Sequence, residues 1–357
     1  MRLIKTWFEK IKGECVEMAV AAKFVWVVGR TPILSFGVCC SEVLKSYIYL
    51  GRDEMRKNQL AWVATFGAML TLPVMANAET EVITLGTGTP VPNGERAGAG
   101  IAVIHDGEAY LFDVGAGVTQ RAIQAYEKYD IDALYPPNID HVFLTHLHSD
   151  HIVDFPELLA SYWWRRESPI NLFGPVGSQS MSEGVYQFLE LDMETRLKDK
   201  SPVINPDAAQ ANVTEFEGAG VIYDKNDLRV EALPVTHGDW DSAYGYKVTT
   251  PDKTIVISGD TSANSDVAKQ ASGADILLHE AISHEGWSGL SEKWQAYHQY
   301  AHTLTTELAD IATEANPNLL VLYHVAHYGA PIEGVVGEVK AGYDGDVVLA
   351  DDLDIFK

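Results

Sequence analysis

Within seven residues, Thr145-His146-Leu147-His148-Ser149-Asp150-His151, this sequence places four side chains able to bind a transition metal. They follow an apolar run, Val142-Phe143-Leu144, of the kind that forms a buried strand and ends in a loop. Ordering four such polar groups without an ion would cost entropy with little to offset it. The chain is therefore constrained to a fold in which a strand end opens into a metal-binding loop. His146 and His148 stand two residues apart, so at a strand end they point to one side and hold one ion. Asp150 and His151 lie a little further on and reach a second. Two metals a few Å apart make the kind of pair that activates a water.

The rest of the composition narrows the ligand chemistry. All three cysteines, Cys15, Cys39 and Cys40, lie near the start of the chain, so neither a thiolate site nor a disulfide is available downstream. Histidine and carboxylate donors suit two zinc ions, with manganese or iron as substitutes. An apolar content of 46% over 357 residues supports a globular core.

Residues 55–78 have the make-up of a secretory signal: Arg56 and Lys57, then an apolar stretch over 60–74, then Ala76-Asn77-Ala78 as a small-x-small cleavage site. Cleavage after Ala78 is expected, leaving 79–357 as a single domain, periplasmic or secreted. The 15 apolar residues are too few to span a bilayer comfortably, so no stable membrane anchor is expected after cleavage. Residues 1–54 carry no usable motif, and a translation start at Met55 is the expectation, with a retained extension as the alternative. Residues 79–357 hold 16 basic and 44 acidic side chains, a formal charge of −28. Nucleic-acid binding draws on basic surface, so the charge balance makes nucleic acid an unlikely partner.

The His-x-His-x-Asp-His pattern of residues 146–151 resembles the signature of the metallo-β-lactamase fold hydrolases. The spacing of the later motifs is similar to the branch containing ribonuclease Z and a group of secreted arylsulfatases, and the resemblance runs over residues 81–350. It implies an α/β fold of two β-sheets packed face to face and covered by helices, a four-layer αβ/βα sandwich with the metals at one edge.

Further site residues follow along the chain. Asp113 follows the strand-like run 110–112; the resemblance implies that it orients a ligand histidine from behind, while the alternative is capping of a helix over 118–128, and the two roles are compatible. The alternating run Leu228-Arg229-Val230-Glu231-Ala232 reads as a half-buried strand leading to His237, which matches the family's third motif and so becomes the third ligand of the first metal. The apolar run 254–258 ends in Gly259-Asp260-Thr261, and the two oxygens of Asp260 suit it to bridge two cations and offset their charge. His279 and Glu280 form a family-like pair in a supporting role. His302 matches the family histidine that gives a proton to the leaving group, and Asp150 joins it in the catalytic set. The run 319–323 delivers His324, which completes the second metal site with Asp150 and His151. Helices are expected over 155–166, 178–198 and 305–315, a hairpin turn at Asp106-Gly107, and a loop over 199–212. Trp163, Trp287, Trp294 and His327 are candidates for substrate contact, the aromatic segment 282–301 being either a lid or ordinary packing.

The site implies hydrolysis, by a water nucleophile shared between two metals, without fixing the bond. The family's tRNA-binding arm is inserted between the motifs of His237 and Asp260, where residues 249–258 leave room only for a turn and a strand. With the export signal and the charge, this favours a small sulfate or phosphate ester as the partner molecule. A ribonuclease Z-type tRNA-processing enzyme, a lactonase or β-lactamase-like hydrolase, and a non-catalytic metal binder are the alternatives, and a homodimer is left open. N-terminal sequencing of the exported protein should begin at Glu79; a start well before it would contradict both the signal and its cleavage site.

Overall fold

The computed structural model describes residues 79–357; the upstream segment 1–54 and the expected signal over 55–78 lie outside the described residues. Two seven-stranded sheets make up the centre. The first contains β1 (Glu81–Gly86), β2 (Gly100–His105), β3 (Glu108–Phe112), β4 (His141–Phe143), β5 (Asn171–Pro175) and β6 (Asn212–Phe216). The second contains β7 (Gly220–Lys225), β8 (Leu228–Pro234), β9 (Tyr244–Thr249), β10 (Thr254–Ile257), β11 (Ile276–Ile282), β12 (Leu319–Ala326) and β13 (Val347–Leu349). The chain then returns, and β14 (Ile355–Phe356) pairs antiparallel with β1 in the first sheet. In each sheet one flank is antiparallel and the other parallel: β3 to β6 run parallel, as do β10 to β13.

Successive side chains on a strand face opposite ways, and here both faces are covered. On β3, Tyr110 and Phe112 enter the core between the sheets, while Ala109 and Leu111 enter the core under the helices. On β12, Val321 and Tyr323 face the other sheet, and Leu320 and Leu322 face the helices Ser265–Gln270, Thr305–Ala315 and Val335–Lys340. Burial on both faces explains why these strands read as unbroken apolar runs. The first sheet is covered in the same way by the helices Val118–Tyr129, Phe155–Ala160 and Ser178–Lys198. The result is the four-layer αβ/βα sandwich.

The helix expected over 155–166 ends early. It stops at Ala160, Tyr162 takes a left-handed φ of 53°, and Trp163–Arg165 form a single tight turn. The reason lies in Arg166, a fully buried guanidinium that donates to the carbonyls of Pro137, Ile139 and Leu158 and so draws the chain inward. The hairpin at Asp106-Gly107 has positive φ at both residues, as a two-residue turn between twisted strands requires. Residues 199–212 contain one short 3-10 turn, Pro206–Ala209.

Between the sheets, the ring of Phe143 stacks on Phe112 and on Phe173, and meets Tyr223 and Tyr246 edge-on. This strand carries the metal-binding loop, so its packing fixes where that loop begins. Phe143→Ala should cost about 3–5 kcal/mol, read as a lowered urea midpoint; a loss under about 1 kcal/mol would show that the stack contributes little.

Candidate metal centre

The site grows from strand ends at one edge of the two sheets. β4 ends at Phe143, and Thr145 and His146 follow in the loop; Asp150 and His151 sit in the short helix Ser149–Ile152. His237 follows β8 and Asp260 follows β10. His324 lies inside β12, at a bulge: β11 and β12 pair in register up to His279 and Leu322, then resume at Ala281 and Val325, and His324 has a φ of 50°. The extra residue turns the ring out of the ladder. The loop bearing Asp150 is pressed against the turn after Asp113, where a Cβ on Gly115 would lie 2.1 Å from the Asp150 carbonyl oxygen.

Two clusters result. In the first, the His148 Nδ1 lies 2.8 Å from the His146 Nε2 and 3.0 Å from the His237 Nε2. In the second, the Asp150 Oδ2 lies 3.5 Å from the His151 Nε2 and 3.6 Å from the His324 Nε2. Asp260 stands between them, its Oδ2 at 3.2 Å from His324, 3.4 Å from His151 and 3.9 Å from His237. The structure thus brings together all seven side chains assigned as ligands from sequence.

These residues fit metal ions. Asp150 Oδ2, His151 Nε2 and Asp260 Oδ1 are buried without a hydrogen-bond partner, an arrangement that costs free energy unless something is bound there. Several rings have their far nitrogen committed. The Nδ1–H of His151 donates to Asp113 (2.8 Å), that of His237 to the Ala301 carbonyl (2.7 Å) and that of His324 to the Gly88 carbonyl (2.6 Å). Each Nε2 lone pair is left facing the centre. Burial lowers the pKa of His146, His148 and His237, which keeps the first cluster neutral and ready to donate. In the second cluster burial would lower His151, but the carboxylates of Asp260 and Asp113 outweigh it and raise its pKa. Burial would likewise raise Asp260, but His324 and His151 hold it well below the usual carboxylate range. Positive charge is what this second cluster demands.

Asp113 organises both clusters. Buried and at a φ of 62°, it accepts from the Thr145 backbone N–H, the Thr145 hydroxyl and His151, each at 2.8 Å. Because the Thr145 hydroxyl donates to Asp113, its oxygen accepts from the His146 Nδ1–H at 3.0 Å. It does not cap the helix Val118–Tyr129, whose Thr119 N–H is capped by Asp154 instead. Glu280, expected in a supporting role, braces the segment of His302. Its Oε1 accepts from the backbone N–H of Thr303 (3.0 Å) and lies 3.3 Å from the His302 Nδ1. Burial would lower His302, yet the adjoining Glu280 and Asp260 carboxylates raise its pKa to about 9. The His279 Nδ1 bonds the Glu280 carbonyl at 2.7 Å.

Among the aromatic candidates, Trp163 needs correction. Trp163 is completely buried in the core beneath the first sheet's helices and cannot meet a substrate. Trp287 is engaged within its own segment, donating its indole N–H to the Gln295 carbonyl. Trp294 is 53% exposed and stacks on His298, one ring removed from His302. The His327 ring is tied to the Ala330 carbonyl of its own turn. The tryptophan at the site is Trp240, absent from the sequence-based set: its indole N–H donates to the His148 Nε2 at 2.7 Å. An ion at the His148 Nδ1 would leave a proton on Nε2, so the indole N–H would then lose this acceptor. The only sequence signal was an aromatic residue three positions after a ligand histidine.

Comparison with known proteins extends this picture. A β-lactamase superfamily domain model matches residues 109–325. Ribonuclease Z of Mycobacterium sp. (strain KMS) is 29% identical over 280 residues, covering 76% of this chain and 94% of the relative. Among solved structures, the metallo-β-lactamase fold protein YhfI from Bacillus subtilis superposes with a TM-score of 0.61 at 18% identity, covering 78% of this chain and all of that one. The short form of human tRNase Z gives a TM-score of 0.57 at 22% identity, covering 78% and 98%. These structural matches show a shared fold.

Asp113→Ala removes the acceptor that aligns His151 directly and His146 through Thr145. Metal affinity should fall by about 10- to 100-fold, measured by competition with a chelator, with circular dichroism as the check on folding. A folded variant with unchanged affinity would show that the rings are held by other means.

Proposed function

This chain belongs to the β-lactamase superfamily, and from that premise we propose that it is a two-metal hydrolase that cleaves a phosphodiester. The observation that carries the reading is the pair of clusters meeting at Asp260. His146, His148 and His237 would hold the first ion, Asp150, His151 and His324 the second, with Asp260 between them. Zinc suits this nitrogen and oxygen donor set. Two such ions supply a nucleophilic water at neutral pH and positive charge against the ester oxygens.

The chain's own residues do the remaining work. Asp113 fixes ring orientation in both clusters, so that the donors need not reorganise when substrate arrives. Asp260 and Asp150 offset the charge of the ions. His302, kept protonated by Glu280, stands 3.9 Å from Asp260 and is placed to give its proton to the departing oxygen.

The choice of a phosphodiester is supported by the relatives named ribonuclease Z, which this chain matches over 94% of their length. Nucleic acid, set aside above on charge, thereby returns as a substrate candidate, and a small ester of sulfate or phosphate becomes the second reading. A specific observation keeps that second reading: β9 and β10 are joined by a four-residue turn closed by the Thr250 N–H and the Lys253 carbonyl. A long arm gripping the body of a folded RNA has no place there, so an RNA substrate would be held by an accessible single-stranded end. Export through residues 55–78 is also part of the proposal.

Metal-loaded protein starting at Glu79 should be assayed against bis-p-nitrophenyl phosphate, a 3′-extended tRNA precursor, nitrocatechol sulfate, a lactone and a β-lactam. Phosphodiester turnover is expected; turnover of the sulfate alone would select the second reading, and turnover of only a ring substrate would overturn both. His302→Ala should keep its metal and lose about 10² to 10⁴-fold on substrates with poor leaving groups, but little on nitrophenyl esters. Loss of metal in that variant would make His302 a ligand.

A further inference from the structure

Beside the first histidine cluster lies a cavity of about 420 Å³ that the reaction scheme leaves unused. The edges of His148 and His237 form its floor. One wall is the loop Gly238, Asp239 and Trp240; the other is the helix Glu292–Ala301, which contributes Tyr297 and Tyr300. The Tyr300 hydroxyl donates to the Asp239 Oδ1 at 3.0 Å and ties the two walls together. Tyr297 and Tyr300 are 47% and 51% exposed, so both rings are open to a ligand. The Trp240 ring stands nearly perpendicular to His148, with centroids 4.8 Å apart.

The chemistry of the lining selects its occupant. Asp239 is the charged side chain in it, and neither lysine nor arginine contributes to the wall. A second phosphate would meet a carboxylate and no cation, whereas a flat neutral ring finds aromatic residues in both walls, Trp240 in one and Tyr297 and Tyr300 in the other. Asp239 retains acceptor capacity beyond its bond to Tyr300 and suits ring N–H groups. The floor belongs to the metal centre, so a ring in this cavity must be joined to the same substrate whose ester is cleaved there.

We propose that this cavity is the specificity pocket for a neutral aromatic group attached next to the scissile ester, a nucleobase or an aryl ring. Trp240, Tyr297 and Tyr300 contact the ring, and Asp239 orients it. The identity of the ester rests on the phosphodiester reading above; recognition of the ring does not.

The test is equilibrium binding to the metal-loaded protein by calorimetry, comparing adenosine 5′-monophosphate with ribose 5-phosphate and phenyl phosphate with methyl phosphate. Each pair shares its phosphate and differs in the ring. The aromatic member should bind on the order of tenfold tighter, one stacked ring's worth. Preference in both pairs indicates any flat ring, and preference for the adenosine compound alone indicates a nucleobase. Tyr297→Ala and Tyr300→Ala, on an exposed helix face, and Trp240→Ala should shrink the preference toward one, with metal content measured alongside. Equal affinities in the wild type, or a preference that survives all three substitutions, would overturn the proposal. A preference that stands while no phosphodiester is cleaved would leave the pocket in place and remove the phosphodiester reading.

Discussion

The carboxylate of Asp113 is the point from which the site is built. It sits where β3 leaves the sheet, buried and in a left-handed backbone conformation, and receives three hydrogen bonds from groups that follow β4. One of these bonds aligns a ring of the second cluster directly, and another aligns a ring of the first through the Thr145 hydroxyl. A buried carboxylate is costly unless all its acceptor capacity is used, and here the groups that satisfy it are those that must be held still. The arrangement also joins neighbouring strands: the Asp113 backbone N–H donates to the Phe143 carbonyl, so the pairing of β3 with β4 and the placing of the ligands depend on one another.

The two sheets serve the same end from opposite sides. The first presents Asp113 and the loop from His146 to His151, and the second presents His237, Asp260 and His324. Neither sheet holds a complete cluster. The aromatic stack around Phe143 and Tyr246 presses the sheets together just beneath the ligands, and the Tyr246 hydroxyl donates to the Leu144 carbonyl across the gap. Packing between the sheets therefore bears on the placing of the candidate ligands as well as on stability.

Much of this was legible because the physics left strong marks. Strands buried on both faces read as apolar runs, and four donors within seven residues leave little freedom of interpretation. The grouping of the later ligands came from resemblance, since nothing local in Pro234-Val235-Thr236-His237 tells a ligand from a surface histidine. What was illegible depended on distant partners. The helix after Phe155 breaks because Arg166 finds carbonyls in the segment around Pro137 and Ile139. Trp163 is buried where a substrate contact was expected, and Trp240, for which the sequence raised no expectation, stands at the site, because burial is decided by the whole fold and not by neighbours in sequence. Which residue Glu280 braces was not legible, since it meets His302 only because the loop after the helix Glu292–Ala301 folds back onto β11. The two-residue β14 carries too little pattern to be read before its partner β1 is in place.

The central claim is that two metal ions share Asp260, and diffraction from crystals of the zinc-loaded protein at the zinc absorption edge addresses it directly. The account predicts two anomalous peaks about 3.5–4 Å apart. One should lie among His146, His148 and His237, the other among Asp150, His151 and His324, with the Asp260 carboxylate reaching both. A single peak at full zinc occupancy, or two peaks with Asp260 bound to only one of them, would contradict it.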